Sequence, residues 1–385
     1  MWTNVIGEER VKHILRNALE HEKLPGAYLF SGPEGTGKDA AAIELAKAIN
    51  CTGKPGGLPH IPFEACDECE SCLAISSFTS SAVLFIHALP KKSDDDGAEL
   101  KEEDVAIVRE QRTAKAADPY YNFDIPRALA IHIGQIRELR LMLARSVSGA
   151  KKRIVIISEA QMMNDKSQNA FLKTLEEPHA NTIIILTSSN ANGLLPTVHS
   201  RCQDVRFDVL AVEEIKNALM ERESLSEDES SFLARLAAGS YSRARAMIGE
   251  EVKEMRKEIV AFLRMGLSKS RRNAVLEINK LLPRSGGNFL EKRQAVEQCL
   301  VLLTLWLRDA LALSVAKDSV ADQANEIINL DQLEDLKKFV ARFGDPHRII
   351  DAIASVDRAM HHAKMQLQLR PVMLQLVADL ETALT

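Results

Sequence analysis

The stretch from Ala27 to Ile49 constrains the fold more than any other part of this chain. It runs Ala27-Tyr28-Leu29-Phe30, then Gly32-Pro33-Glu34-Gly35-Thr36-Gly37-Lys38, then an Ala-rich segment from Asp39 to Ile49. A short apolar run predicts a strand, and the segment after the glycines predicts a helix. A glycine-rich turn between the two lets backbone N–H groups converge, and the helix N-terminus behind them favours an anion. Gly32, Gly35, Thr36, Gly37 and Lys38 are thus the candidate phosphate cradle, with Lys38 placed to reach the outer phosphates.

The same alternation continues. Val11, Ile14, Leu15, Ala18 and Leu19 recur at helical spacing before the first strand. Ile154-Val155-Ile156-Ile157 and Ile183-Ile184-Ile185-Leu186 are β-branched runs of strand length, with a helical stretch from Asp165 to Leu175 between them. Short apolar strands alternating with helices predict a parallel sheet covered on both faces. After about Phe207 the strand signals stop. Leu300, Leu303, Leu307 and Leu311 predict one helical face, and Ile349, Ile353, Val356 and Met360 another. Pro283, Ser285, Gly286 and Gly287 predict a turn between two helical sections. Aromatics are only 5% of the chain, which also leans toward helix.

The phosphate loop departs from its pattern at the metal. A Ser or Thr normally follows the lysine so that its hydroxyl ligates magnesium. Here that residue is Asp39. A carboxylate beside nucleotide phosphates adds like charge, and at about 4 Å with an effective dielectric near 20 that costs on the order of 4 kcal/mol. A second nucleotide motif, an apolar strand ending in Asp-Glu, is altered as well. Here the strand ends in Ser158-Glu159-Ala160, so the metal-side carboxylate is lost while Glu159, the residue that would orient water, is kept. Either the loop is an inherited scaffold with weak or absent binding of ATP and Mg2+, or nucleotide binding is retained. No efficient hydrolysis by this chain alone is expected in either case.

Cys51, Cys66, Cys69 and Cys72 are spaced C-x14-C-x2-C-x2-C. Four thiolates at about 2.3 Å from one centre complete a closed tetrahedral zinc site with no open position for chemistry. A zinc-dependent enzyme is thereby excluded at this cluster. Iron–sulfur ligation lacks the usual following Pro and ferredoxin spacing. Cys202 and Cys299 stand alone and are expected to be buried thiols.

The net charge of −5 supplies no general basic footprint for DNA, so any such contact is local or shared with partners. Lys151-Lys152-Arg153 either lies near DNA or is simply solvated. No stretch approaches the roughly 20 apolar residues that span a bilayer, and Met1 to Arg10 has no signal-peptide core. The expectation is a cytoplasmic protein. The charged run from Lys91-Lys92-Ser93-Asp94-Asp95-Asp96-Gly97 on to Asp104 is expected to be a solvated insertion.

Several motifs in order carry a resemblance to a family. They are the phosphate loop, the four-cysteine module just after its helix, Ser158-Glu159-Ala160, Asn169-Ala170-Phe171-Leu172-Lys173-Thr174-Leu175-Glu176-Glu177-Pro178, and Ser200-Arg201-Cys202. Together they resemble the AAA+ subunits of the bacterial DNA polymerase III clamp loader, densely over residues 1–210 and more weakly beyond. The degenerate metal positions, and Leu194-Leu195-Pro196-Thr197-Val198-His199 before the Ser-Arg-Cys triplet, are most similar to the delta-prime branch. The resemblance implies a P-loop domain over 1–208 with a zinc module at about 51–72, a helical lid over 209–275 and a helical collar over 276–385. It implies that Arg201 is an arginine finger for the ATP site of a neighbouring subunit, the competing reading being a surface arginine paired with a carboxylate. Ser188 and Ser189 fall at the end of the strand that senses γ-phosphate in the family. Arg243 resembles the lid sensor arginine and equally fits a surface arginine at a helix N-terminus.

The expected role is a non-hydrolysing part of the polymerase holoenzyme in a hetero-oligomer with gamma/tau and delta subunits. Through that complex it would act on the sliding clamp and primer-template DNA. The competing expectation is an active ATPase, gamma/tau-like or a Holliday-junction-type motor, against which Asp39 and Ser158 count. Asp118-Pro119-Tyr120-Tyr121 departs from the shortest family members and carries no functional expectation.

Overall fold

Three strands have almost no solvated face, and they fix the centre of the molecule. All five residues of β1 (Ala27–Ser31) and all seven of β4 (Thr182–Ser188) are buried, as are the last four of β3 (Arg153–Ile157). Such strands need cover on both sides, which a parallel sheet with crossover helices provides. The computed structural model describes residues 2, 4–53, 64–90, 102–144, 151–179, 181–266, 289–315, 327–329, 332–364 and 368–384.

The sheet has five strands in the order β2-β3-β4-β1-β5, every neighbouring pair parallel, with β2 at Val83–Ile86 and β5 at Gln203–Arg206. Leu29 lies between Leu186 and Asp204 in register. The chain leaves β1 through the glycine loop into α2 (Lys38–Asn50), beside the carboxyl ends of β3 and β4. Helix α1 (Glu9–Glu20) packs on α2, and α3 (Glu70–Ser76) follows the last cysteines. Next come α4 (Glu102–Ala117), α5 (Ile133–Leu143), α6 (Asp165–Glu176) and the one-turn α7 (Pro196–His199). Three helices end this part: α8 (Val212–Glu223), α9 (Glu227–Leu236) and α10 (Tyr241–Ala246).

The chain divides into two compact units, Met1–Ala246 and Met247–Thr385. The second unit is helical among its described residues: Glu250–Gly266, Phe289–Val315, Leu333–Phe343, Pro346–Lys364 and Leu369–Leu384. Pro346–Lys364 packs against both Phe289–Val315 and Leu369–Leu384. Asp309, buried in Phe289–Val315, accepts hydrogen bonds from the Ile328 and Asn329 amides, and Asn329 accepts one from Arg256.

The structure corrects several expectations. The buried line of Pro346–Lys364 is Ile349, Ala352, Val356, Ala359 and Ala363, while Ile353 and Met360 lie half-buried beside it. Small alanines let the neighbouring helices close over that line. Leu311 is likewise only half-buried. Ala295–Val315 is, by length and composition, apolar enough to cross a membrane, contrary to the expectation that no stretch is. Here its Leu300, Leu303, Trp306 and Leu307 are buried in the second unit. Cys299 is a buried thiol as expected, whereas Cys202 is only half-buried. Burial pushes both thiols up to about 12. The charged insertion does not stay solvated to Asp104. That carboxylate is buried in the first turn of α4, where Arg127 donates to it at 2.7 Å. Lys91–Gly97 and the turn at Pro283–Gly287 lie outside the described residues.

Candidate functional site

The glycine loop has its expected shape. Gly32, Gly35 and Gly37 all have positive φ (150°, 76° and 97°), and Gly37 leads directly into α2. What the loop holds is its own protein. The Lys38 ammonium turns back and donates to the carbonyls of Gly32 (2.9 Å) and Pro33 (2.6 Å). Burial holds its pKa below the usual lysine value, against the pull of Glu159, Asp39 and Glu34. Thr36, fully buried, donates from its hydroxyl to Pro33 O at 2.9 Å.

Asp39 and Ser158, the two altered metal positions, touch each other. Ser158 Oγ donates to Asp39 Oδ2 at 2.7 Å, and Thr187 Oγ1 donates to Asp39 Oδ1 at 2.7 Å. Lys115, buried near the end of α4, places its ammonium 2.7 Å from Asp39 Oδ2 and donates to Tyr121 O at 2.8 Å. Burial alone would raise the Asp39 carboxyl. The Lys115 charge and the hydroxyls of Thr187 and Ser158 outweigh it and hold the group below the usual carboxylate range. A carboxylate paired with an ammonium and given two more donors is fully satisfied without a metal ion. Sequence spacing gave no sign of Lys115 or Thr187, because neither belongs to a local motif with Asp39.

The segment after α4 closes the front of the loop. A Cβ on Gly37 would lie 2.5 Å from Tyr120 Oη, so glycine there makes room for a phenol. Asn122 Nδ2 donates to Glu34 Oε1 at 2.7 Å. The space left among Glu34, Lys38, Asp39, Lys115, Tyr120 and Glu159 is about 30 Å³ and opens to solvent, room for a few water molecules. Sites for small molecules run to about 300 Å³ or more. Asp118-Pro119-Tyr120-Tyr121, which carried no functional expectation, is therefore part of the site.

Glu159 sits in the left-handed region (φ 49°) and lines the same space as Lys38, with its carboxylate bonded to Ser189 and Gln161. Its Oε2 accepts from Ser189 Oγ at 2.5 Å and from Gln161 Nε2. Ser188 Oγ donates to Gln161 Oε1 at 2.7 Å. The residues expected to orient water and sense phosphate are bonded to one another.

Arg201, in the turn after α7, is exposed. It donates to Thr197 O at 2.8 Å and to Glu176 Oε1 at 2.6 Å. Pro178 ends α6 as expected, and this places Glu176 in the last turn beside that guanidinium. Arg243 is exposed on α10, and its amide donates to Ser240 Oγ at 3.3 Å. Two side chains of the basic run are bonded to backbone carbonyls. Lys151 Nζ donates to Cys51 O at 2.8 Å, and Arg153 Nη1 to Met142 O at 2.8 Å. Both side chains cap helix C-termini, where carbonyls lack partners.

The four cysteines come together as expected. Cys51 caps the end of α2, Cys69 caps the start of α3, and all four are buried. Their Sγ atoms lie within 4.8 Å of one another, Cys51 and Cys69 at 4.0 Å. Thiolates about 2.3 Å from a tetrahedral centre would be about 3.8 Å apart, so this donor set can hold a metal ion. Amides of Gly53, Cys69 and Cys72 point at Cys51, Cys66 and Cys69 sulfurs at 3.3–3.4 Å, as suits thiolates. Burial alone would raise Cys69, but donors from Thr52 and the Cys72 amide bring it down to about 6, whereas burial pushes the Cys51 and Cys72 thiols up. The module is tied down by charge. Lys47, buried in α2, bridges Glu44 and Asp67 at 2.5 Å each, and Arg16 reaches Glu64 at 3.2 Å.

A parallel sheet whose first strand runs through a glycine loop into a helix defines a phosphate-loop protein. A family model described as "DNA polymerase III, delta subunit" matches residues 7–211. The chain belongs to that family, among the clamp-loader AAA+ proteins its motifs resemble. It is 29% identical to DNA polymerase III subunit tau of Bacillus subtilis over 65% of this chain and 37% of that one. It is 30% identical to subunit gamma/tau of Mycoplasma pneumoniae over 65% of this chain and 30% of that one. The chain thus spans about a third of the length of these two relatives. Subunit delta' of Bacillus subtilis is 27% identical over 81% of this chain and 79% of its own. Among solved structures, a gamma subunit-related protein of Thermotoga maritima covers 98% of this chain and 100% of its own at 18% identity, TM-score 0.40.

Proposed function

We propose that this chain is a delta-prime-like, non-hydrolysing subunit of the DNA polymerase III clamp loader. In this reading it assembles with gamma/tau and delta in the cytoplasm. It positions them and lends Arg201 in trans to a neighbour's ATP site during loading of the sliding clamp on primer-template DNA. The observation that carries the reading is the Lys115–Asp39 ion pair, completed by Ser158 and Thr187, at the two positions where the motifs place metal ligands. An ammonium there supplies the positive charge that magnesium would otherwise bring, so Gly32, Gly35, Thr36, Gly37, Lys38 and Asp39 keep a loop shape without a nucleotide to hold.

Glu159, bonded to Ser189 and Gln161, has no catalytic work in this reading, and Arg243 is no nucleotide sensor. Cys51, Cys66, Cys69 and Cys72 hold a structural Zn2+. The division into a P-loop domain over 1–208, a lid over 209–275 and a collar over 276–385 is part of the same proposal. The match to delta' over four-fifths of both chains supports it. The gamma/tau-like ATPase is the second reading, favoured by the intact glycines and Lys38 and by the identity to tau.

Reconstitution with gamma/tau and delta tests the proposal. Arg201→Ala is expected to assemble normally but to lose DNA-stimulated ATP turnover at the site it faces, by about 10³-fold. Lys38→Ala is expected to leave turnover unchanged. Unchanged turnover in Arg201→Ala, or lost turnover in Lys38→Ala, would reject it.

A further inference from the structure

Tyr120 touches three separate parts of the first unit at once. Its Oη accepts the Ile6 amide at 2.8 Å and lies against Gly37 of the loop. Its ring meets Tyr241, the first residue of α10, edge-on at 5.0 Å and 77°. Its backbone carbonyl accepts Ser242 Oγ at 2.6 Å. Around it, the Tyr241 amide donates to Gly35 O at 3.0 Å, and the Arg222 guanidinium lies 5.6 Å and 5.7 Å from the two tyrosine rings. Arg245 joins Asp118 to Glu223, the latter at 2.8 Å. Helices α8 and α10 are therefore fastened to the glycine loop through the 118–122 turn.

We propose that Tyr120 is a built-in ligand of the phosphate loop, a strut that holds helices α8–α10 on the sheet in one orientation without any nucleotide. A hinge between a phosphate loop and adjacent helices normally opens and closes with what the loop binds. Here the wedge that fills the gap is covalently part of the chain, so its occupancy does not depend on concentration. Its effective concentration at the loop is fixed by the short turn from α4, whose Lys115 is itself anchored on Asp39. The inference rests on the proposed reading only in that ring and nucleotide exclude each other.

Amide hydrogen exchange of the full chain, measured without nucleotide, tests the strut. In Tyr120→Ala, peptides covering Glu227–Ala246 are expected to exchange about tenfold faster, the loss of one aromatic pair. Peptides covering Arg153–Ile157 and Thr182–Ser188 should not change. Equal exchange of Glu227–Ala246 in variant and wild type overturns the proposal. If Tyr120→Ala exchanges as an unfolded chain throughout, Ser242→Ala decides, since it cuts only the bond from α10 to the Tyr120 carbonyl. About fivefold faster exchange of the same helices supports the strut, and no change overturns it. Because no nucleotide is present, failure of the strut is read separately from failure of the non-hydrolysing assignment.

Discussion

Lys115 and Asp39 are worth more together than either is alone. Removing the lysine leaves a nearly buried carboxylate with two hydroxyl donors and no counter-charge. Lys115→Ala is therefore expected to destabilise the chain by about 3–5 kcal/mol in urea unfolding. The double change Lys115→Met with Asp39→Leu should cost less than the single one. The pH dependence follows from the same pair. The folded Asp39 carboxyl titrates below its ordinary value of 3.8, so at acid pH the unfolded chain binds the extra proton first. The pair's contribution is complete above that value and is lost as pH falls through the lower, folded one. Acid unfolding of Lys115→Met with Asp39→Leu should be shallower there. Sequence shows a Ser/Thr position turned into Asp and an Asp position turned into Ser, two departures at the same metal position, but not that the two side chains bond to each other. In space they are one exchange, since the hydroxyl and the carboxylate have traded places and still face each other. That contact is set by the register of β3 against β4 and α2, which no local motif records.

Elements whose chemistry is local were legible, and elements held by distant partners were not. β1, β3 and β4 announce themselves because a centre strand must be apolar on both faces. β5 is an edge strand with only Val205 buried, so Gln203-Asp204-Val205-Arg206 carries no apolar pattern. Helix α4 was missed for a related reason. Its only buried residues are Asp104 and Lys115, so it docks through ion pairs rather than an apolar stripe. The cysteine module was legible because its four ligands carry their own geometry. In the proposed reading a metal ion is the core of the module, and its fold depends on that ion. Among the described residues it is tied to the rest of the unit by Lys47–Asp67, Arg16–Glu64 and the Lys151 bond to Cys51 O. Chelation of the purified chain, or Cys72→Ser, is expected to lower Tm by about 5–10 °C. Elemental measurement should find one zinc per chain lost with it. A chain with no bound zinc and no chelator effect would remove that role from the cluster.

At the scale of the whole molecule, the first unit has a phosphate-loop architecture in which the residues of the nucleotide motifs are bonded to each other. Lys38 holds its own loop, Glu159 holds Ser189, Asp39 holds Lys115, and Tyr120 stands in front of Gly37. Arg201, by contrast, is exposed and held at the surface by Glu176 and the Thr197 carbonyl, where an ion pair is worth about 0–1 kcal/mol. In the proposed reading, the residues of the chain's own site are bonded to one another, while Arg201 stays at the surface where a neighbour's site can reach it. The most direct measurement is calorimetric titration of the isolated full chain with Mg-ATP, alongside Lys38→Ala. The account predicts no saturable heat from either protein. Saturable, magnesium-dependent binding to the wild type that Lys38→Ala abolishes would contradict it.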